Sequence, residues 1–214
     1  MRAVTVPGLV DCWFTLRERY GKLPMKQILS PAIAYAQEGF PAGYRYCQVF
    51  AQHAAAGADW FPATMAALTG RESPPEPGDI IVQPDLACTL RSIADGGRDA
   101  FYCGPITELM VRHASASGAF HTARDFADQK TIVASPLISS YRGLTVHAQP
   151  PVSQGVILVE MLNILEGYDL QSYGFGSPEA LHLMVEAKKA AFADRLALLG
   201  DPEHVPDTAP HLAS

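Results

Sequence analysis

The sequence predicts an α+β fold, and three observations carry that prediction. Helical patterns fill the first part of the chain, strand-like runs cluster in a short middle stretch, and long helical patterns return after it. Strands grouped together, instead of alternating with helices, argue against a repeating β-α-β layout.

Each element has a local reason. Val4 to Val6 reads as a short strand broken by Pro7-Gly8. From Leu9 onward Val10, Trp13, Phe14 and Leu16 recur at helical spacing, which predicts a helix to about Tyr20, with Gly21 as a left-handed stop. Pro24 opens a second helix whose stripe is Met25, Ile28, Leu29, Ala32, Ile33 and Ala36, ending at Gly39. Pro31 inside that stripe marks a kink or a break between two short helices. An Ala-rich helix follows over Tyr44 to Ala56, and Gly57 to Gly78 is turn-rich, with "ESPPEPGD" as its clearest loop.

Leu86, Leu90 and Ile93 form the next stripe, capped by Asp85 or the preceding turn and stopped at Gly96-Gly97. Ile106 to Ser115 is another helix, and Thr122 with Asp125 fits a capping box. Strand signals then occupy Thr131 to Ala134, Leu137 to Tyr141 and Leu144 to Ala148, the last two forming a hairpin around Arg142-Gly143. Gly155 to Glu166 returns to helix, and Ser177-Pro178 starts a long one that runs to about Leu199 and ends at Gly200.

Bulk properties bound the function. The chain has 214 residues, enough for one large domain or a pair of small ones, and 48% hydrophobic residues supply a sizeable core. Only 18% of residues are charged. Either part of the surface is covered by something else, or the Ala-rich composition dilutes every other class. Net charge is −6 and the sixteen Lys and Arg are scattered, so a phosphate-neutralising groove is absent and nucleic acid is not a partner. No apolar run approaches the ~20 residues that span a bilayer. The four cysteines, Cys12, Cys47, Cys88 and Cys103, form no C-x-x-C, and the seven histidines form no H-E-x-x-H, so neither a metal nor an organic cofactor is called for.

Several collinear motifs together resemble the γ-glutamyltranspeptidase family, in a large part of its large subunit. They are "VPGLV" at Val6 to Val10, "RYGKLPMKQILSPAIAYAQEGFP" at Arg19 to Pro41 and "GDIIVQPDLACTL" at Gly78 to Leu90. "FYCG" at Phe101 to Gly104 and "GAFHTARDF" at Gly118 to Phe126 follow. "YRGLTVHAQPPVSQG" at Tyr141 to Gly155, "EMLNILEGYDL" at Glu160 to Leu170 and "AFADRLALLGDP" at Ala191 to Pro202 complete the set. The resemblance spans about Ala3 to Val205.

The resemblance implies the helix-rich part of an N-terminal-nucleophile hydrolase with an αββα core. It also implies a precursor that cleaves itself, exposing the N-terminal Thr of a small subunit as nucleophile, with γ-glutamyl amides such as glutathione as substrates. On that reading this chain carries no catalytic residue. The family nucleophile follows a Thr-Thr-His or similar motif downstream of "LGDP", and its substrate-binding arginine lies upstream of "VPG", in a context that Arg2 does not match. The chain is then one partial domain, residues 1–214, without the first strands, and its partners are its own small subunit and the small-molecule substrate. Localisation stays undetermined, with export common among relatives.

The family loop that reads Pro-Pro-Pro-Ser-Ser-Gly-Gly is here Gln149-Pro150-Pro151-Val152-Ser153-Gln154-Gly155. Its prolines end the preceding strand, Ser153 is placed to cap the following helix, and Gly155 permits close backbone approach. Structural roles suffice for the loop, and Ser153 and Gly155 are the candidates for substrate contact. Val152 and Gln154 suggest a divergent branch acting on a different acyl group, so a cephalosporin-acylase-like amidohydrolase stands beside the first reading. A non-catalytic remnant is the alternative from another class. Asp194-Arg195 suggests an ion pair anchoring the long helix, with a catalytic carboxylate as the sharper reading. His121-Thr122 belongs to the capping box.

Overall fold

The computed structural model describes residues 4–55, 62–71, 73–201, 204–206 and 212. Arg2, Ala56 and most of the closing "DTAPHLAS" stretch lie outside the described residues. The chain divides into two compact units, Met1–Thr131 and Ile132–Ser214.

The first unit holds the helices α1 (Leu9–Tyr20), α2 (Met25–Glu38), α3 (Tyr44–Ala55), α4 (Pro62–Thr69), α5 (Pro84–Tyr102), α6 (Pro105–Ala116) and α7 (Ala123–Ala127). Two-residue strands β1 (Phe40–Pro41) and β2 (Ile80–Ile81) pair antiparallel, Phe40 opposite Ile81. The core joins α1, α2, α5 and α7 through Val10, Met25, Leu29, Leu90, Ile93, Phe101, Tyr102 and Phe126. Burying each of the larger apolar side chains contributes about 1.5–3 kcal/mol. A smaller cluster of Ala42, Cys47 and Ile81 packs under Phe40 and Tyr46.

Several local expectations change under tertiary packing. Val4 to Val6 forms no strand; the carbonyl of Pro7 accepts instead from the Tyr102 hydroxyl at 2.7 Å. Gly21 ends α1 in an extended conformation (φ −85°) rather than a left-handed one. Glycine is needed there for space, since a Cβ would lie 2.8 Å from the Arg17 carbonyl oxygen. Helix α2 passes through Pro31 as one helix.

The region read as turns contains α4, whose last residue Thr69 is buried and donates its hydroxyl to the Met65 carbonyl at 2.7 Å. Of the two starts read for α5, Asp85 lies inside the first turn and the preceding turn supplies the cap position, Gln83, whose side chain makes no capping bond and which Pro84 follows. The Gly96-Gly97 stop is only local. Gly97 takes φ 74°, and the helix resumes beyond it to Tyr102.

The second unit holds the hairpin β3 (Leu137–Tyr141) and β4 (Leu144–Ala148), then α8 (Gly155–Glu166), α9 (Leu170–Tyr173) and α10 (Pro178–Leu198). The register pairs Leu137 with Ala148 and Tyr141 with Leu144, around the expected Arg142-Gly143 turn. That register turns Ser139, Val146 and Ala148 inward, while Ile138 and Leu144 are exposed. Helix α8 packs against the hairpin, and α10 packs against α8. Val156 and Ile157 meet Ala191, and Ala180 and Ala187 are also buried; small residues at this spacing let the helices approach closely. Ser177 caps α10 through the Ala180 N–H at 3.2 Å, with Pro178 next, as the sequence predicts.

Thr131 to Ala134 forms no strand. Its first N–H is taken by the Asp11 carboxylate, 2.6 Å away, and Ile132 and Val133 are exposed.

Candidate functional site

Strand β4 ends at Ala148, and Gln149 to Gln154 turns the chain directly into α8. Prolines 150 and 151 withdraw two N–H groups where the ladder stops. The Ser153 N–H donates to the Pro150 carbonyl at 3.1 Å, closing the turn. The Ile157 N–H donates to the Gln154 carbonyl at 3.2 Å, starting the helix. At Gly155 a Cβ would sit 2.2 Å from the Gln149 carbonyl oxygen and 2.6 Å from its nitrogen. No side chain fits there without moving backbone, so the loop is pressed against its own return.

Ser153 does not cap α8. The cap position belongs to Gln154, whose side chain makes no capping bond, and among the described residues the Ser153 hydroxyl makes no hydrogen bond. Ser153 is half-buried beside the exposed Val152. The loop therefore offers one free hydroxyl and the first N–H groups of α8, a donor-rich end that favours anionic or carbonyl oxygens. Ser153 and Gly155 come together on this one loop.

A second polar feature lies on the same helix. Glu160 on α8 and Asp194 on α10 are both half-buried carboxyl groups. Burial first, then the hydrogen bond and negative charge of Asp194, push the Glu160 carboxyl up to about 7. The expected Asp194–Arg195 ion pair is absent among the described residues, and Arg195 lies over the Phe192 ring at 5.9 Å. Nothing in the local pattern signalled Glu160, because its partner comes from another helix.

In the first unit, Thr122 and Asp125 form the capping box at α7 in both directions, Thr122 N–H to Asp125 Oδ2 at 2.7 Å and Asp125 N–H to Thr122 Oγ1 at 3.4 Å. His121 is thereby placed beside Phe126, its Nδ1 buried without a partner. It borders an apolar cavity of about 360 Å³ with His113, Met110 and Val4. Among the described residues no group of three or more His, Cys, Asp or Glu is placed to hold a metal. No helix among them is long and apolar enough to cross a membrane.

Sequence and structure comparisons place this architecture in a class and then a family. Over the whole chain the backbone superposes on the γ-glutamyltranspeptidase of Helicobacter pylori with a TM-score of 0.90 at 29% identity, covering 61% of that protein's chain. This is the helix-rich part of an N-terminal-nucleophile hydrolase fold. Residues 1–214 match the family described as gamma-glutamyltranspeptidase, and the chain belongs to that family.

Two relatives are a glutathione hydrolase-like YwrD proenzyme of Bacillus subtilis (strain 168) and an acylase ACY 1 proenzyme of Pseudomonas sp. (strain SE83). The first is 41% identical across 94% of this chain and 38% of its own length. The second is 38% identical across 95% of this chain and 37% of its own length. The chain thus spans less than two-fifths of either relative.

Proposed function

We propose that this chain is a large-subunit segment of a self-processing acyltransferase or hydrolase acting on γ-glutamyl amides such as glutathione. The observation that carries the reading is the match to one family along all 214 residues, together with the backbone agreement with a γ-glutamyltranspeptidase. The chemistry requires a nucleophile that this chain does not supply. A Thr at the start of a second subunit fits, because its own α-amine lies close enough to take the hydroxyl proton as the hydroxyl attacks the amide carbonyl. Backbone donors would hold the resulting oxyanion. Collapse of that intermediate breaks the amide C–N bond, the leaving amine takes the proton from the α-ammonium, and the acyl-enzyme then passes its acyl group to water or to an amino acid.

This segment's part is to build the layers that hold the site. Both units belong to one larger domain in this reading, and the second subunit is the partner that completes it. The loop at the start of α8 is the contribution nearest the chemistry. Ser153 donates a hydrogen bond to the substrate, and Gly155 holds the loop's close return.

A second acyl group has specific support. One relative is an acylase, and Val152 and Gln154 replace a Ser and a Gly of the family loop. A cephalosporin-acylase-like amidohydrolase would use the same nucleophile with a different acyl pocket.

Intact mass and N-terminal sequencing of what co-purifies with the chain tests the first claim, and a second chain beginning with Thr is expected. A chain isolated alone and unprocessed overturns it and leaves a non-catalytic remnant. Hydrolysis of γ-glutamyl anilide against glutaryl anilide then separates the two acyl groups, with the γ-glutamyl substrate expected to be preferred.

A further inference from the structure

We infer that the apolar cavity of the first unit is a binding site for a compact, largely hydrocarbon molecule carrying one hydroxyl group, with His121 as its hydrogen-bonding partner. The site is separate from the acyl-transfer reading and does not depend on it.

Three stretches build the cavity, and each is tied down. Val4 and Pro7 form one wall, and the Pro7 carbonyl is held by the Tyr102 hydroxyl at 2.7 Å. Met110 and His113 on α6 form a second, and Met110 also packs against the main core. His121 and Phe126 form the third. The Thr122–Asp125 box fixes the backbone between them, and Phe126 is buried. Walls anchored by hydrogen bonds and core packing keep their shape without a ligand, as pre-formed pockets do.

Size and lining select the ligand. The volume of about 360 Å³ falls in the range of small-molecule sites, and a dry apolar cavity of about 150 Å³ already takes up benzene. The walls are mostly carbon, so a charged molecule would lose its hydration there without replacement.

His121 supplies what the carbon walls lack. Its Nδ1 is covered from solvent and bonds to nothing, and a buried polar atom without a partner is costly. Asp125, four residues on, is committed to the Thr122 N–H at 2.7 Å and hydroxyl at 2.9 Å. His113 is exposed to solvent, so the buried position belongs to His121. Turning the His121 ring to present Nδ1 to the cavity forfeits no Nδ1 bond. A hydroxyl both donates and accepts, so it pairs with Nδ1 in either imidazole tautomer. The Phe126 ring, its centroid 6.0 Å from that of His121, gives an aromatic ligand a surface to pack on.

Titration of the intact protein with phenol and with toluene, which share a shape and differ in the hydroxyl, tests the site. The methyl signal of isotope-labelled Met110 is the local readout. Both probes should shift that signal at millimolar concentration. In His121→Phe the ratio of phenol to toluene affinity should fall roughly tenfold, the worth of one buried hydrogen bond. Since Nδ1 has no partner to lose, that variant should melt no lower than the wild type. Ala114→Leu, which fills the cavity from α6, should abolish both shifts. The inference is overturned if neither probe shifts Met110 in the intact protein, the result expected if another segment occupies the cavity. An affinity ratio equal in wild type and His121→Phe overturns it as well, and so do shifts that persist in Ala114→Leu.

Discussion

Arg98 on α5 donates through Nε to Asp11, 87 residues earlier in the chain at the start of α1. The other carboxylate oxygen accepts from the Thr131 N–H at 2.6 Å and hydroxyl at 2.5 Å. Arg98 also donates to the Gln129 carbonyl and covers the Tyr102 ring at 4.7 Å. The Tyr102 hydroxyl accepts from the Asp11 N–H at 3.1 Å and donates to Pro7. One buried carboxylate thus ties α1, α5 and the 129–131 segment together, with both of its oxygens accepting hydrogen bonds.

Breaking that tie should be costly. Asp11→Asn keeps the shape but loses the charge that Arg98 and Thr131 address, and the expected loss is about 2–4 kcal/mol of unfolding free energy. Burial alone would raise the Asp11 pKa, but the hydrogen bonds from Thr131 and Arg98 outweigh it and hold the carboxyl below its ordinary value. Its stabilising contribution is therefore complete above the unfolded carboxylate pKa and disappears as pH falls through the lower folded one. Thermal melts in the acid range should fall more steeply for the wild type than for Asp11→Asn.

Gly155→Ala should distort the start of α8. The added methyl meets the Gln149 backbone at 2.2 Å, and backbone cannot yield as a flexible side chain does. A loss of about 1–3 kcal/mol is expected from overpacking. Denaturant unfolding, with exchange at Val156 to Val159 as the local readout, checks it.

Ser153→Ala should leave stability within about 0.5 kcal/mol of the wild type, because the hydroxyl caps nothing. If the hydroxyl contacts substrate, KM for a γ-glutamyl anilide should rise while the melting temperature stays put. Unchanged kinetics would remove Ser153 from the proposed site.

Thr122→Ala removes both bonds of the Thr122 hydroxyl with Asp125 at a five-residue helix, which has few other means of holding its first turn. A loss of about 1 kcal/mol is expected. Melting of the variant beside Thr122→Ser, which keeps the hydroxyl, separates the cap from general packing.

Elements whose reasons are local were legible in the chain. The Arg142-Gly143 hairpin, the Ser177-Pro178 start of α10 and the Thr122–Asp125 box form as their residues predict, and the stripes of α1 and α2 pack through Val10, Trp13, Phe14, Met25, Leu29 and Ile33, while Leu16, Ile28 and Ala32 are exposed. Glycine was legible as a stop at Gly21, though the reason proved to be space and not a left-handed turn. In the loop before α8, the need for Gly155 was legible, while the capping role read for Ser153 was not realised.

The sequence by itself determined the family, through its collinear motifs, and the hairpin and most of the helices, which depend on neighbours a few residues apart; α4 was not among them. Only the tertiary structure decided the fates of Thr131 and Asp11, whose backbone donor and charged group are satisfied by partners tens of residues away. Thr131 gives its N–H to Asp11, 120 residues earlier in the chain, instead of to a strand. Hydrogen bonds and charges in a low-dielectric interior are settled by which groups packing brings together, and that information is carried by the folded chain alone.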